Sequence, residues 1–205
     1  MIVRSCCGQV DTNRYNDYRD SVTSRLKEEI KQTKPFDSLE TEAFLNLQRT
    51  ADALLRGVEE LLKRWGLTQT QYNALRILRG AGKRGLLCRE VGERMVTRDP
   101  DVTRLLDRLE SRGLIERSRD PRDRRVILTK ITEPGLQILA GIDGPLAGLH
   151  RRQLGHLGDR NTRRLIRLLE TARSQGERSG RDSALRSVGG HDESRERGVP
   201  APSPP

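Results

Sequence analysis

The chain has 205 residues, a formal net charge of +10, 33% hydrophobic and 33% charged residues, and only 3% aromatics. This length suits one ordinary domain with tails, and so few aromatics argue against an aromatic-rich sandwich and for helices packed through Leu, Ile, Val and Ala. The basic balance points to a polyanion partner, although the charge is spread along the chain and so carries little weight alone.

The three cysteines, Cys6, Cys7 and Cys88, have no spacing that suggests a disulfide framework or a zinc site. No apolar run reaches membrane-spanning length, and no basic stretch followed by an apolar one marks a secretory signal. The expectation is a reducing, cytoplasmic setting with no cofactor, no metal and no membrane partner.

Residues 1–21 are polar and aperiodic and read as a disordered extension. Val22, Leu26 and Ile30 predict a short helix that Pro35 ends. From Ser38 to Arg64, a stripe of Leu39, Phe44, Leu47, Ala51, Leu54, Val58, Leu61 and Leu62 predicts a long helix capped by Ser38. Thr68 opens the next helix, which carries Tyr72, Leu75, Ile77 and Leu78 and stops at Gly80. Leu86-Leu87 is a very short strand pair, and Cys88 to Met95 a short helix with Val91 and Met95 inward.

Asp99-Pro100 marks a further helix start, running to Arg112 and closed by Gly113. Leu114–Arg119 and Val126–Ile131 are strand-like around a turn at Asp120-Pro121-Arg122-Asp123, which makes a β-hairpin. Thr132 caps another helix, whose course Gly135, Gly141, Gly144, Pro145 and Gly148 are expected to make irregular. Asp159 to Arg173 is the last helix. From Gly176 onward, residues 176–205 read as a disordered tail.

Helix, short helix, capped helix and hairpin follow one another in the order of a winged helix-turn-helix. In the capped helix, Val102, Leu105, Leu106 and Leu109 fall on one face, leaving Asp101, Thr103, Arg104, Asp107 and Arg108 on the rest of the surface. A recognition helix needs this division, with one face on the scaffold and polar residues reaching base edges. Arg104 suits paired contacts to guanine, Thr103 a base or phosphate, and Asp101 either a cytosine amine or the orientation of Arg104. An ordinary amphipathic surface helix would show the same stripe. The hairpin tips the balance: Arg117, Arg119, Arg122, Arg124 and Arg125 flank its tip, where phosphates or a narrow minor groove would neutralise them. Asp120 and Asp123 are expected to brace these arginines by paired hydrogen bonds.

Gly113–Arg117 (GLIER), DPRDRR at Asp120–Arg125, Val126–Thr132 with Gly135 beyond, and PDVTRLLDRLE at Pro100–Glu110 together resemble the recognition helix and wing of MarR-family (multiple antibiotic resistance) regulators. The resemblance covers about residues 38–173. It implies a mainly α fold, a winged helix-turn-helix with a small β-hairpin wing and a helical dimerisation region, within a domain of residues 22–175. Dimerisation helices would occupy about 22–64 and 132–173, and the DNA-binding lobe about 67–131. It further implies a homodimer on a pseudopalindromic operator in double-stranded DNA, usually repressing, and released by a small-molecule effector or an oxidant.

On this reading the DNA-binding residues are Asp101, Thr103, Arg104, Arg108, Arg122, Asp123, Arg124 and Arg125, with Arg124 or Arg125 in the minor groove and held by Asp123. Peroxide-sensing members place a cysteine near the start of the first long helix; here none lies between Cys7 and Cys88. Cys88 reads as a small packing residue.

His150 and His156 are too far apart for a helical metal pair and read as surface or interface residues. Trp65 and Tyr72 read as core, with a ligand pocket as the alternative. No phosphate-cradling loop, nucleophile elbow or metalloprotease motif supports an enzyme. An architectural DNA-coating protein and a protein-interaction module using the wing surface are the rival classes.

Overall fold

The computed structural model describes residues 25–97, 101–120 and 123–188, with residues 176–188 as backbone only. Its helices are α1 (Arg25–Glu29), α2 (Leu39–Lys63), α3 (Gln69–Ala81), α4 (Cys88–Arg94), α5 (Val102–Ser111), α6 (Glu133–Leu154) and α7 (Gly158–Val188). Two strands, β1 (Ile115–Arg119) and β2 (Ile127–Ile131), lie between α5 and α6. The fold is mainly α, a winged helix-turn-helix with a hairpin wing. None of the described helices is long and apolar enough to cross a membrane.

The helix starts follow from capping chemistry. Ser38 Oγ accepts from Thr41 N at 3.1 Å. Thr68 and Gln71 form a reciprocal box: Gln71 N donates to Thr68 Oγ1 at 3.2 Å, and Thr68 N donates to Gln71 Oε1 at 3.0 Å. Thr132 Oγ1 accepts from Gly135 N at 3.4 Å and donates to Gly113 O at 2.7 Å, which ties the start of α6 to the end of α5.

The hairpin pairs Ile115 with Ile131 and Arg119 with Ile127, antiparallel. Leu86 adds the expected short pairing: its N–H and C=O both bond Thr129, at 3.0 and 2.8 Å. Thr129 is thereby satisfied although only 1% exposed.

The fold divides into two units between Leu149 and His150. The first is organised around one core in which Leu62, Leu75, Leu78, Val91, Leu106, Leu109, Leu139 and Ile142 are fully buried. That core takes a side from each of α2 to α6, so it fixes α5 and the wing on a single scaffold. Tyr72 is buried in it and Trp65 packs against it, as the core reading expects. The second unit holds the last turn of α6, a 3₁₀ turn at Gly155–Leu157, and α7. His150 and His156 are both exposed there.

Four element readings change. Among the described residues the short N-terminal helix spans Arg25–Glu29 and ends before Lys31, which is in the left-handed region; Val22 lies outside the described residues. The recognition helix begins at Val102 with Asp101 as its cap, later than the predicted start at Pro100; Asp99 and Pro100 lie outside the described residues.

The glycines of α6 do not make it irregular: it is one continuous helix with Pro145 inside. Gly135 and Gly141 serve close packing instead. A Cβ on Gly135 would collide with Leu114 O and stand 2.7 Å from Ile131 Cγ1, and one on Gly141 would collide with the Trp65 ring. Finally, α7 runs on to Val188, past the break expected at Gly176. Gly176 and Gly180 each weaken a helix by about 1 kcal/mol relative to Ala, but Gln, Glu, Arg, Ala and Leu around them are good helix formers.

Candidate nucleic-acid interface

The surface of α5 is set by its buried side. Leu105, Leu106 and Leu109 are at most 5% exposed, so Thr103, Arg104, Asp107 and Arg108 must stand on the outer face. Asp101 sits at the leading end, where one carboxylate oxygen accepts from Arg104 N at 3.0 Å and the other lies 3.5 Å from Arg104 Nε. It therefore caps the helix and steers the guanidinium that follows it. Of the two roles open to Asp101 in the sequence, orientation of Arg104 is the one that the geometry supports.

Thr103 is placed by two interactions that the sequence did not reveal. Its Oγ1 lies 3.7 Å from Cys88 Sγ, at the first turn of α4. Its carbonyl accepts from Arg117 Nη2 at 3.3 Å. Cys88 is half-buried and packs against the core, as expected for a small packing residue.

Arg117 departs from the role expected of it in the hairpin. It projects from β1 onto α5 rather than toward the wing tip. Its Nη1 bonds Asp107 Oδ1 and stands 3.3 Å from Glu110 Oε2. Two carboxylates and a carbonyl occupy that guanidinium, so it braces α5 against β1. No local periodicity links Arg117 to Asp107, ten residues earlier in the chain, and no sequence pattern flagged the pair. Arg112, at the far end of α5, similarly donates to Gly66 O at 2.7 Å and secures the helix to the chain after α2.

Within the wing, Arg119, Arg124 and Arg125 are exposed, and none of them forms an ion pair among the described residues. Asp123 Oδ1 accepts from the backbone N of Arg125 at 2.9 Å, and Asp123 O from Val126 N at 2.9 Å. Asp123 thus shapes the turn through the backbone, and among the described residues it makes none of the paired hydrogen bonds to a guanidinium expected of it. Arg122 lies outside the described residues. The structure brings together Asp101, Thr103, Arg104 and Arg108 on one helix face, and Asp123, Arg124 and Arg125 at the wing turn.

A further paired arginine lies within the scaffold, away from this face. Arg79 of α3 binds Asp143 of α6 through both guanidinium nitrogens, at 2.7 and 3.1 Å. The hydrogen bond from Arg79 holds the Asp143 carboxyl below its ordinary range and raises Arg79 in turn. Burial pushes the neighbouring Tyr72 hydroxyl up, against the nearby Arg76. Arg76 lies over the Tyr72 ring, 5.8 Å from its centroid.

A helix-turn-helix with a two-stranded wing, carrying exposed arginines on both, defines a winged-helix protein. Comparison with known proteins narrows this. The model for the MarR family matches residues 67–127. The transcriptional repressor MdtR of Bacillus subtilis is 33% identical over 112 residues, 53% of this chain and 71% of the relative. The repressor IacR of Pseudomonas putida is 28% identical over 62% of this chain and 75% of its own. Among solved structures, a MarR transcription factor from Planctomyces limnophilus is 42% identical over 67% of this chain and 99% of its own, with a TM-score of 0.51. A mutant E. coli MarR complexed with operator DNA is 25% identical over 66% of this chain and 99% of that one, with a TM-score of 0.59. The chain belongs to the MarR family.

Proposed function

We propose that this chain is a sequence-specific transcriptional repressor that binds a pseudopalindromic operator as a homodimer, in the cytoplasm, and leaves it when a small ligand binds. The carrying observation is the outer face of α5: Thr103, Arg104 and Arg108 stand exposed over a buried leucine stripe, beside a wing where Arg119, Arg124 and Arg125 form no ion pair among the described residues. Arg104 reads guanine, Thr103 and Arg108 contact a base or phosphate, and Arg124 or Arg125 enters the minor groove. Arg122 belongs to the same wing by sequence. Asp101 and Asp123 act through the arginines or backbone they hold.

Dimerisation is supported by the face of α2 that the single chain leaves open. Leu39, Phe44 and Leu47 are 39%, 59% and 47% exposed on one helix, large apolar side chains of the kind that an interface covers. Small-ligand release is supported by a relative: CouR from Rhodococcus jostii, 26% identical over 67% of this chain, was solved bound to p-coumaroyl-CoA.

The test is binding of the purified protein to DNA from upstream of its own gene, against a scrambled duplex, across a salt series. Preference for the native fragment by about a thousandfold or more fits a regulator. Equal affinity for both, with a steep salt dependence only, would instead mark a coating protein.

A further inference from the structure

The second unit carries a charged surface that the winged lobe does not use. Residues 150–175 hold seven arginines against two acids, a net +5, half the formal charge of the whole chain. Four of them, Arg160, Arg163, Arg164 and Arg167, recur at i, i+3, i+4 and i+7 on α7 and therefore share one helix face. All four are exposed. Leu165, Leu168, Leu169 and Ala172 repeat the same spacing about 140° round the helix, at 100° per residue. A partner covering the apolar face would leave the arginine face in solvent.

A run of charge on a helix is often only a solvated face. Elsewhere in the described chain some exposed arginines are neutralised by a nearby carboxylate. Arg56 pairs with Asp52, Arg89 with Glu93 and Arg94 with Glu90, each at i, i+4, and Arg49 pairs with Glu29. On α7, Asp159 stands four residues before Arg163 and Glu170 three after Arg167, yet among the described residues neither carboxylate comes within ion-pair distance of the stripe. Four like charges crowded on about 10 Å of helix, at 1.5 Å per residue, repel one another unless anions lie between them. All four are Arg and none is Lys, which favours oxygen pairs presented in a plane, as on phosphate.

We propose that the Arg160–Arg163–Arg164–Arg167 face is a second site for duplex DNA phosphates, adding sequence-independent affinity to that of the winged lobe. It rests on the DNA-binding reading above.

The experiment compares the full chain with a variant carrying Arg160→Gln, Arg163→Gln, Arg164→Gln and Arg167→Gln, on a random-sequence duplex over a sodium chloride series. Far-UV circular dichroism and gel filtration check each protein. The slope of log affinity against log salt should become shallower by about 2–4 for each chain bound, because each phosphate that an arginine neutralises adds about 0.9 to it. The double variants Arg160→Gln/Arg164→Gln and Arg163→Gln/Arg167→Gln should each give part of that change, and they serve if the quadruple variant misfolds.

An unchanged slope in folded variants would overturn the proposal. So would loss of binding to phosphatidylserine vesicles with DNA binding intact, which would assign the face to membranes. Arg104→Ala/Arg124→Ala/Arg125→Ala separates the two readings. If it binds as wild type does while the α7 variants show the shallower slope, the winged-lobe reading fails and the stripe stands; the reverse pattern removes the stripe alone.

Discussion

Arg117 of the wing grips Asp107 of the recognition helix, and the same guanidinium reaches the carbonyl of Thr103 one turn earlier. The wing and α5 therefore cannot move independently without breaking charge-assisted bonds. Arg117→Gln should lower the stability to urea by about 1–3 kcal/mol, as expected for hydrogen bonds to charged groups in a partly buried place. It should also weaken binding to the upstream fragment while leaving the order of preferred sequences unchanged, because Arg117 positions the readers rather than reading. A change of preferred sequence, found by selection from random duplexes, would instead make it a base-reading residue.

Arg104 and the wing arginines should separate in their salt behaviour. Arg104→Ala should lower affinity for the native fragment by about 1–3 kcal/mol and relax its preference at one position. Arg124→Ala or Arg125→Ala should weaken all sequences alike and reduce the salt slope by about 1. Fluorescence anisotropy on native and scrambled duplexes distinguishes the two outcomes.

Phe44 is the most exposed large apolar residue of α2. Placing a charge there, as Phe44→Asp, should convert a dimer to a monomer in analytical ultracentrifugation and weaken binding to a two-half-site fragment more than to a single half-site. A Phe44→Asp protein that sediments as a dimer at micromolar concentration would move the interface elsewhere.

Gly135→Ala should be more damaging than an ordinary glycine replacement. The new methyl meets the Leu114 carbonyl, a backbone atom between the recognition helix and the wing that cannot swing aside. Overpacking of this kind costs about 1–3 kcal/mol. Gly144→Ala is the control, because nothing lies within 4 Å of a Cβ there; it should be neutral or slightly stabilising in thermal melts.

The Arg79–Asp143 pair predicts a pH dependence with a definite sign. The Asp143 carboxyl is held below its ordinary value of 3.8, so folding favours its charged form. The pair's contribution is present above pH 3.8 and is lost as the pH falls through the depressed value. Both side chains are partly exposed, 34% and 47%, so the contribution is about 0.5–1 kcal/mol. Asp143→Asn should melt earlier than wild type near neutrality, and the two should converge as acid is added. A gap that persists at the acid end would assign the loss to packing.

Local pattern carried most of the fold. The leucine spacing of α5, the Ser38 and Thr68 caps, the short strand at Leu86 and the two wing strands are each written within a few residues, because helix period, strand alternation and capping are short-range effects. The family resemblance rests on the same contiguous segment, from the recognition helix through the wing.

What the sequence left open was decided by partners far along the chain. Arg117 looks like one more wing arginine until the hairpin folds back on α5 and supplies Asp107 and Glu110. Gly135 and Gly141 look like helix breakers until Leu114 and Trp65 are seen against them. The stripe on α2 looks like core, yet of its residues only Val58 and Leu62 are buried in the single chain. The physical reason is common to all three: a side chain's environment, unlike its backbone propensity, is set by which distant element packs over it. Only the tertiary structure brings those elements together.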